Sequence, residues 1–152
     1  MKKVLTFALA VMLVMSLSVT AFAANTTGGD ADITTSIAPT YTVTIPADVN
    51  VAFNATETAF GTIEVTASQI HPDKCIKVAL ATDKELNNAI DNTKVIPYAI
   101  KDSEGAEFTS ATYLTEGDKT ELSIHITADD WNAAYAGEYS DTVTFTVAVK
   151  TN

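Results

Sequence analysis

Four apolar residues, Val143, Phe145, Val147 and Val149, alternate with Thr142, Thr144, Thr146 and Ala148 near the end of the chain. A period of two puts one set on each face of a pleated strand, and the β-branched and aromatic content agrees with a strand. The same alternation recurs upstream. Ile33, Ile37, Tyr41, Val43 and Ile45 share odd positions across Pro39; Val49, Val51 and Phe53 follow, then Ile63, Val65 and Ala67. Ile76, Val78 and Leu80, then Ile96, Tyr98 and Ile100, then Leu122, Ile124 and Ile126 complete the series. The stretches SEGAEF and TEGDK carry turn chemistry. DKELNNAIDN reads as a loop or one helical turn, and ADDWNAAYAG as a short helical turn closed by Gly137.

Seven or eight strands, each with one apolar face and no long amphipathic helix, predict an all-β fold. The spacing fits an antiparallel two-sheet sandwich. In that arrangement the last strand buries four side chains at about 1.5–3 kcal/mol each, making it a principal stabiliser. Tyr41, Phe53, Tyr98 and Phe145 take core parity. Tyr139, two residues after Gly137, is placed to bond back to the backbone through its hydroxyl.

The start of the chain follows a different rule. Lys2 and Lys3 precede an apolar run from Val4 to about Val19, followed by Ala21-Phe22-Ala23. This is the pattern of a secretory signal over residues 1–23, with Ala rather than a lipid-accepting Cys at position 24. Residues 24–38 then read as an N-terminal extension or edge strand, and 39–152 as one domain. The expected location is outside the cell, secreted or at the cell surface, with no membrane insertion once the signal is gone.

Without Lys2 and Lys3, seven Lys face nineteen acids, a net charge of −12, and there is no Arg. That balance argues against nucleic acid and anionic lipid as partners. One cysteine, Cys75, excludes an internal disulfide. In KCIKVAL it falls opposite Ile76, Val78 and Leu80, so it reads as either a semi-buried inert residue or a free thiol open to a partner.

Chemistry is harder to find. His125 lies between Ile124 and Ile126, on the outward face; His71, Cys75 and the carboxylates are too scattered to suggest a metal set, and a Cys75–His125 nucleophile pair would require neighbouring strands and an orienting group. No nucleophile elbow, phosphate loop or dinucleotide fingerprint occurs, so the chain reads as non-catalytic and without a cofactor. Calcium is the one ion with candidate ligands, in Glu116 and Asp118 and in Asp129, Asp130, Glu138 and Asp141, although no EF-hand spacing is present. Trp131 and Tyr135, four apart, either stack on a ligand such as a sugar or cover the end of the core.

Two stretches carry a resemblance. AGEYSDTVTFTVAV resembles the closing strand of the spore coat protein U family and its fimbrial-subunit-like relatives. Ile96-Pro97-Tyr98-Ala99-Ile100-Lys101-Asp102 resembles their central strand, and YTVTIP is similar to the first strand of many small exported surface proteins. The resemblance implies an immunoglobulin-like, pilin-like sandwich with a structural or adhesive role. This chain departs from that pattern in having no paired cysteine, no Arg, and Thr151-Asn152 where the family closes on Tyr. The expected partners are itself or other surface proteins; a glycan is the alternative, held by loop residues around Trp131 and Tyr135. Ile33 and Ile37 are the candidate assembly strand, pairing within their own domain or with a neighbour.

Overall fold

The computed structural model describes residues 30–152. The signal read over residues 1–23, and residues 24–29 of the extension, lie outside the described residues. What is described is all-β apart from one short helix, and every strand pairing is antiparallel.

A four-stranded sheet has the order β1 (Thr40–Thr44), β2 (Glu57–Gln69), β8 (Lys119–His125), β6 (Ala99–Asp102). A second sheet runs β10 (Thr144–Thr151), β3 (Lys74–Ala81), β7 (Ser110–Tyr113). A third, smaller sheet joins β5 (Val95–Pro97), β4 (Glu85–Asn88) and β9 (Tyr139–Ser140). The helix α1 spans Ala128–Ala133, and its N-cap Thr127 accepts a hydrogen bond from the Asp130 amide.

The period-two pattern succeeds where strands are central. Ile63 and Val65 of β2, Ile76 and Val78 of β3, and Leu122 and Ile124 of β8 are buried in a single cluster with Ile96, Tyr98, Ile100 and Ile126. The two larger sheets therefore share one core. Ile96 and Ile100 belong to different sheets: β5 pairs with β4, whereas β6 pairs with β8. The chain changes sheets at Tyr98, immediately after Pro97, which has no amide proton to give to a ladder.

Several expectations are corrected. Ten strands are present among the described residues where seven or eight were expected, and they form three hydrogen-bonded sheets. DKELNNAIDN contains β4, with the Asn88 side chain buried and its Oδ1 accepting from the amides of Ile90 and Asp91. Val49, Val51 and Phe53 form no strand; they lie on an irregular loop, and Phe53 is 78 % exposed. Phe53 therefore leaves the core set, because a turn at Ala52–Ala55 with Asn54 at φ 62° breaks the extended path. The last strand has the expected parity, but Phe145, Val147 and Val149 are only half-buried. The reason is position: β10 is an edge strand, paired among the described residues with β3 alone.

β2 carries the device that shapes one end of the domain. Its register with β8 slips between Ala59 and Gly61, so Phe60 has no opposite partner. This is a bulge, which turns a side chain away from the regular alternation. Gly61 has φ +136°, where side chains are disfavoured, and a Cβ there would come within 3.1 Å of Pro46 Cβ, so any other residue would strain the backbone and crowd the chain leaving β1.

Candidate functional site

Phe60 and Pro46 both line a cleft of about 860 Å³. Its floor is the core itself, through Ile96, Tyr98 and Ile124. One wall is the irregular segment after β1, with Val49, Val51 and Phe53; the other is the segment from Tyr139 to Phe145. Phe60 and Phe145 meet with ring centroids 6.0 Å apart. Trp131 closes one end, held by its indole N–H, which donates to the Ala55 carbonyl at 2.8 Å. Phe53 stands edge-on to Trp131 at 5.7 Å between ring centroids.

A polar cluster borders this apolar surface. The hydroxyls of Tyr98 and Thr82 both donate to Asp141 Oδ2, at 2.5 and 2.7 Å. Burial opposes ionisation of Asp141, but the hydrogen bonds from Tyr98, Thr82 and the Thr142 amide outweigh it and hold the carboxyl below its usual range. Burial, reinforced by the carboxylate, pushes the Tyr98 phenol up. Asp141 therefore stays charged and fixes the switch between β5 and β6 to the lead-in of β10.

The two aromatic candidates are separated in role. Trp131 is half-buried and packs against the core, while Tyr135 is 63 % exposed and is not part of the cleft lining. Lys94 Nζ sits 5.0 Å from the Tyr135 ring centroid, and the Tyr135 carbonyl accepts from the Tyr139 hydroxyl at 2.9 Å. That last bond is the backbone tie expected of Tyr139. Trp131 and Tyr135 thus do not share one platform. The aromatic beside Trp131 is Phe53, which alternation had assigned to the core. Phe60 was missed as well, although a Phe-Gly pair inside a strand pattern is itself a bulge signal.

The other candidates separate too. Cys75 is buried, with Sγ 3.7 Å from the Lys150 carbonyl, so the thiol is not open to a partner in this state. Its strand β3 and the strand β8 of His125 lie in different sheets. The acidic residues serve local turns: Asp118 accepts from the amides of Leu114 and Thr115, which draws its pKa down, and Asp130 accepts from Thr127. Among the described residues no three His, Cys, Asp or Glu converge as a metal set. Ile33 and Ile37 lie outside any strand, 99 % and 68 % exposed, so neither pairs within its own domain here. The edge-strand reading of this part of the extension is not realised in cis.

The chain matches no protein-family model and no curated protein.

Proposed function

We propose that the protein is a non-catalytic, exported structural or adhesive subunit of an extracellular surface, built as an immunoglobulin-like, pilin-like sandwich. The observation that carries this reading is the outer edge of β10, which is unpaired among the described residues. Eight residues long, it offers a continuous row of unpaired backbone groups next to half-buried apolar side chains, and Lys150 is its one charge. Proteins normally blunt such edges with several charges, prolines or a covering element, because an open edge templates pairing with another chain. In an assembling subunit the open edge is the joining surface. Sedimentation velocity of the purified full chain across a wide concentration range is the test. Concentration-dependent assembly is expected, and a monomer throughout overturns the reading.

A second reading has its own observation, the exposed Phe53 beside Trp131 at the mouth of the cleft. Aromatic rims of this kind suit a sugar ring or an apolar side chain, and the protein is then an extracellular binding module. Glycan binding that disappears with Phe53→Ala or Trp131→Ala, the fold persisting, selects this reading. Retention of binding with Tyr135→Ala separates the cleft from the helix surface.

A further inference from the structure

We propose that the cleft bordered by Phe53 and Trp131 takes a small organic cation, an ammonium group carried on an apolar or aromatic body; this rests on the binding-module reading above and names its class of ligand. Three features of the molecule lead to it.

The first is uncovered apolar surface gathered in one place. Ile45, Val49 and Phe53 are exposed, and all three line the cleft from the segment after β1. The floor reaches the buried Ile96, Tyr98 and Ile124, so the opening leads directly to the core. A volume of about 860 Å³ falls within the roughly 300–1,000 Å³ of clefts that enclose small ligands. An apolar body placed here removes surface from water on both sides of the contact.

The second is charge. Asp48, Glu138 and Asp141 also line the cleft, and no Lys or His does. Elsewhere Lys74, Lys84 and Lys119 are matched with Asp73, Glu107 and Glu121. Among the described residues none of the three cleft carboxylates has such a partner. An anionic ligand would meet three like charges in a partly desolvated space, whereas a cation supplies the complement that the chain does not.

The third is the placement of Asp141, where the polar cluster meets the apolar surface. Its Oδ2 accepts from Tyr98 and Thr82, and its Oδ1 from the Thr142 amide. These bonds keep the group ionised and fix it in place. A carboxylate has about four lone-pair sites, so Oδ1 retains an acceptor position for an ammonium donor. Because the group is already ordered, binding need not order it again. The charged end of the ligand belongs at Asp141, and its body against Phe60 and Val51. At the mouth, the exposed ring of Phe53 is a further surface to which an ammonium is attracted.

Three probes share one body and differ in charge at pH 7: 4-phenylbutylamine, 4-phenylbutanol and 4-phenylbutyrate. Each is titrated into the full chain, with Trp131 emission and the heat of binding as readouts. The amine is expected to bind saturably and about tenfold or more tighter than the carboxylate, with the alcohol between them. Ethylamine, which has the charge without the body, is expected to give no saturable response at the same concentrations. Asp48→Asn with Glu138→Gln changes two exposed side chains. That variant is expected to keep its thermal midpoint and its affinity for the alcohol, and to bind the amine about three- to tenfold more weakly. Alcohol or carboxylate binding as tightly as the amine, ethylamine binding as tightly as phenylbutylamine, or amine affinity untouched by the double variant overturns the proposal and leaves a binding cleft in place. Glycan binding that depends on Phe53, with no response to the amine, also overturns the proposal and keeps the binding module. Absence of binding by every probe and by glycans overturns both.

Discussion

Tyr98 and Asp141, 43 residues apart, are joined by a hydrogen bond of 2.5 Å from the phenol to Oδ2. Thr82 donates to the same oxygen at 2.7 Å, so one carboxylate gathers the end of β3, the sheet switch after β5 and the approach to β10. Hydrogen bonds to charged groups contribute more than neutral ones, which makes this cluster a fastening point rather than an incidental contact.

The pH dependence follows from that cluster. Asp141 is held below the ordinary carboxyl range, as is Asp118. A depressed folded-state pKa contributes stability that is fully present above the unfolded value of about 4 and is lost as pH falls through the folded one. Thermal midpoints measured between pH 7 and pH 2 are expected to fall below about pH 4, and Asp141→Asn to flatten part of that decline. An Asp141→Asn variant with the same pH profile as the parent would deny the cluster this role.

Gly137 supports a second prediction. A Cβ on Gly137 would lie 2.6 Å from Asn88 Nδ2, and Asn88 is the buried polar side chain whose Oδ1 holds the amides of Ile90 and Asp91. Gly137 also has φ +151°, where side chains are disfavoured. Gly137→Ala is expected to cost about 1–3 kcal/mol in urea titrations. Asn88→Ala should cost a similar amount, and the double variant less than the two together, since the clash requires both side chains. Additive losses would mean that the residues do not meet.

Much of the core was legible because alternation reports which face of a strand is buried. Ile63, Val65, Ile76, Val78, Ile96, Tyr98, Ile100, Leu122, Ile124 and Ile126 were all placed by parity and all lie in the cluster. Parity does not reveal whether a strand has neighbours on one side or on two. That is why Phe145 and Val147 were given a central strand's burial and possess an edge strand's. Nor does it detect a chain that only passes through extended conformations, as at Phe53. Phe108, buried just after the Gly105 turn, sits in a stretch too short to display any period. At the cleft, Trp131 was found from its chemistry, whereas Phe60 depends on a bulge that arises from pairing with β8, a long-range contact.

The edge position of β10 alters the expected cost of truncation. A fully buried Phe→Ala change costs about 3–5 kcal/mol. Phe145 is half-buried and packs on Phe60 from one side. Phe145→Ala is therefore expected to cost about 2–3 kcal/mol in the monomer. Thr144→Ala, on the exposed side, should stay within about 0.5 kcal/mol. Equal losses would contradict the facing of the strand.

Trp131 and Tyr135 supply the last prediction, which separates a structural aromatic from a surface one four residues on. The Trp131 indole N–H bonds the Ala55 carbonyl across 76 residues of sequence, and its ring packs on the core end and on Phe53. Removing it loses apolar burial and leaves a carbonyl without its donor, so Trp131→Ala is expected to cost about 2–4 kcal/mol. Trp131→Phe isolates the hydrogen bond and should cost about 1 kcal/mol of that. Tyr135 is mostly exposed, and its ring faces Lys94 at a distance where a cation–π contact in water is weak. Tyr135→Ala should lower stability by under about 1 kcal/mol. Trp131 is the chain's single tryptophan, so its fluorescence reports this site alone. In the native protein the emission should be blue-shifted and partly shielded from iodide, and both features should vanish in urea along the same transition as far-UV circular dichroism. Native emission at the wavelength of free tryptophan, or a Tyr135→Ala variant less stable than Trp131→Ala, would reverse the two assignments.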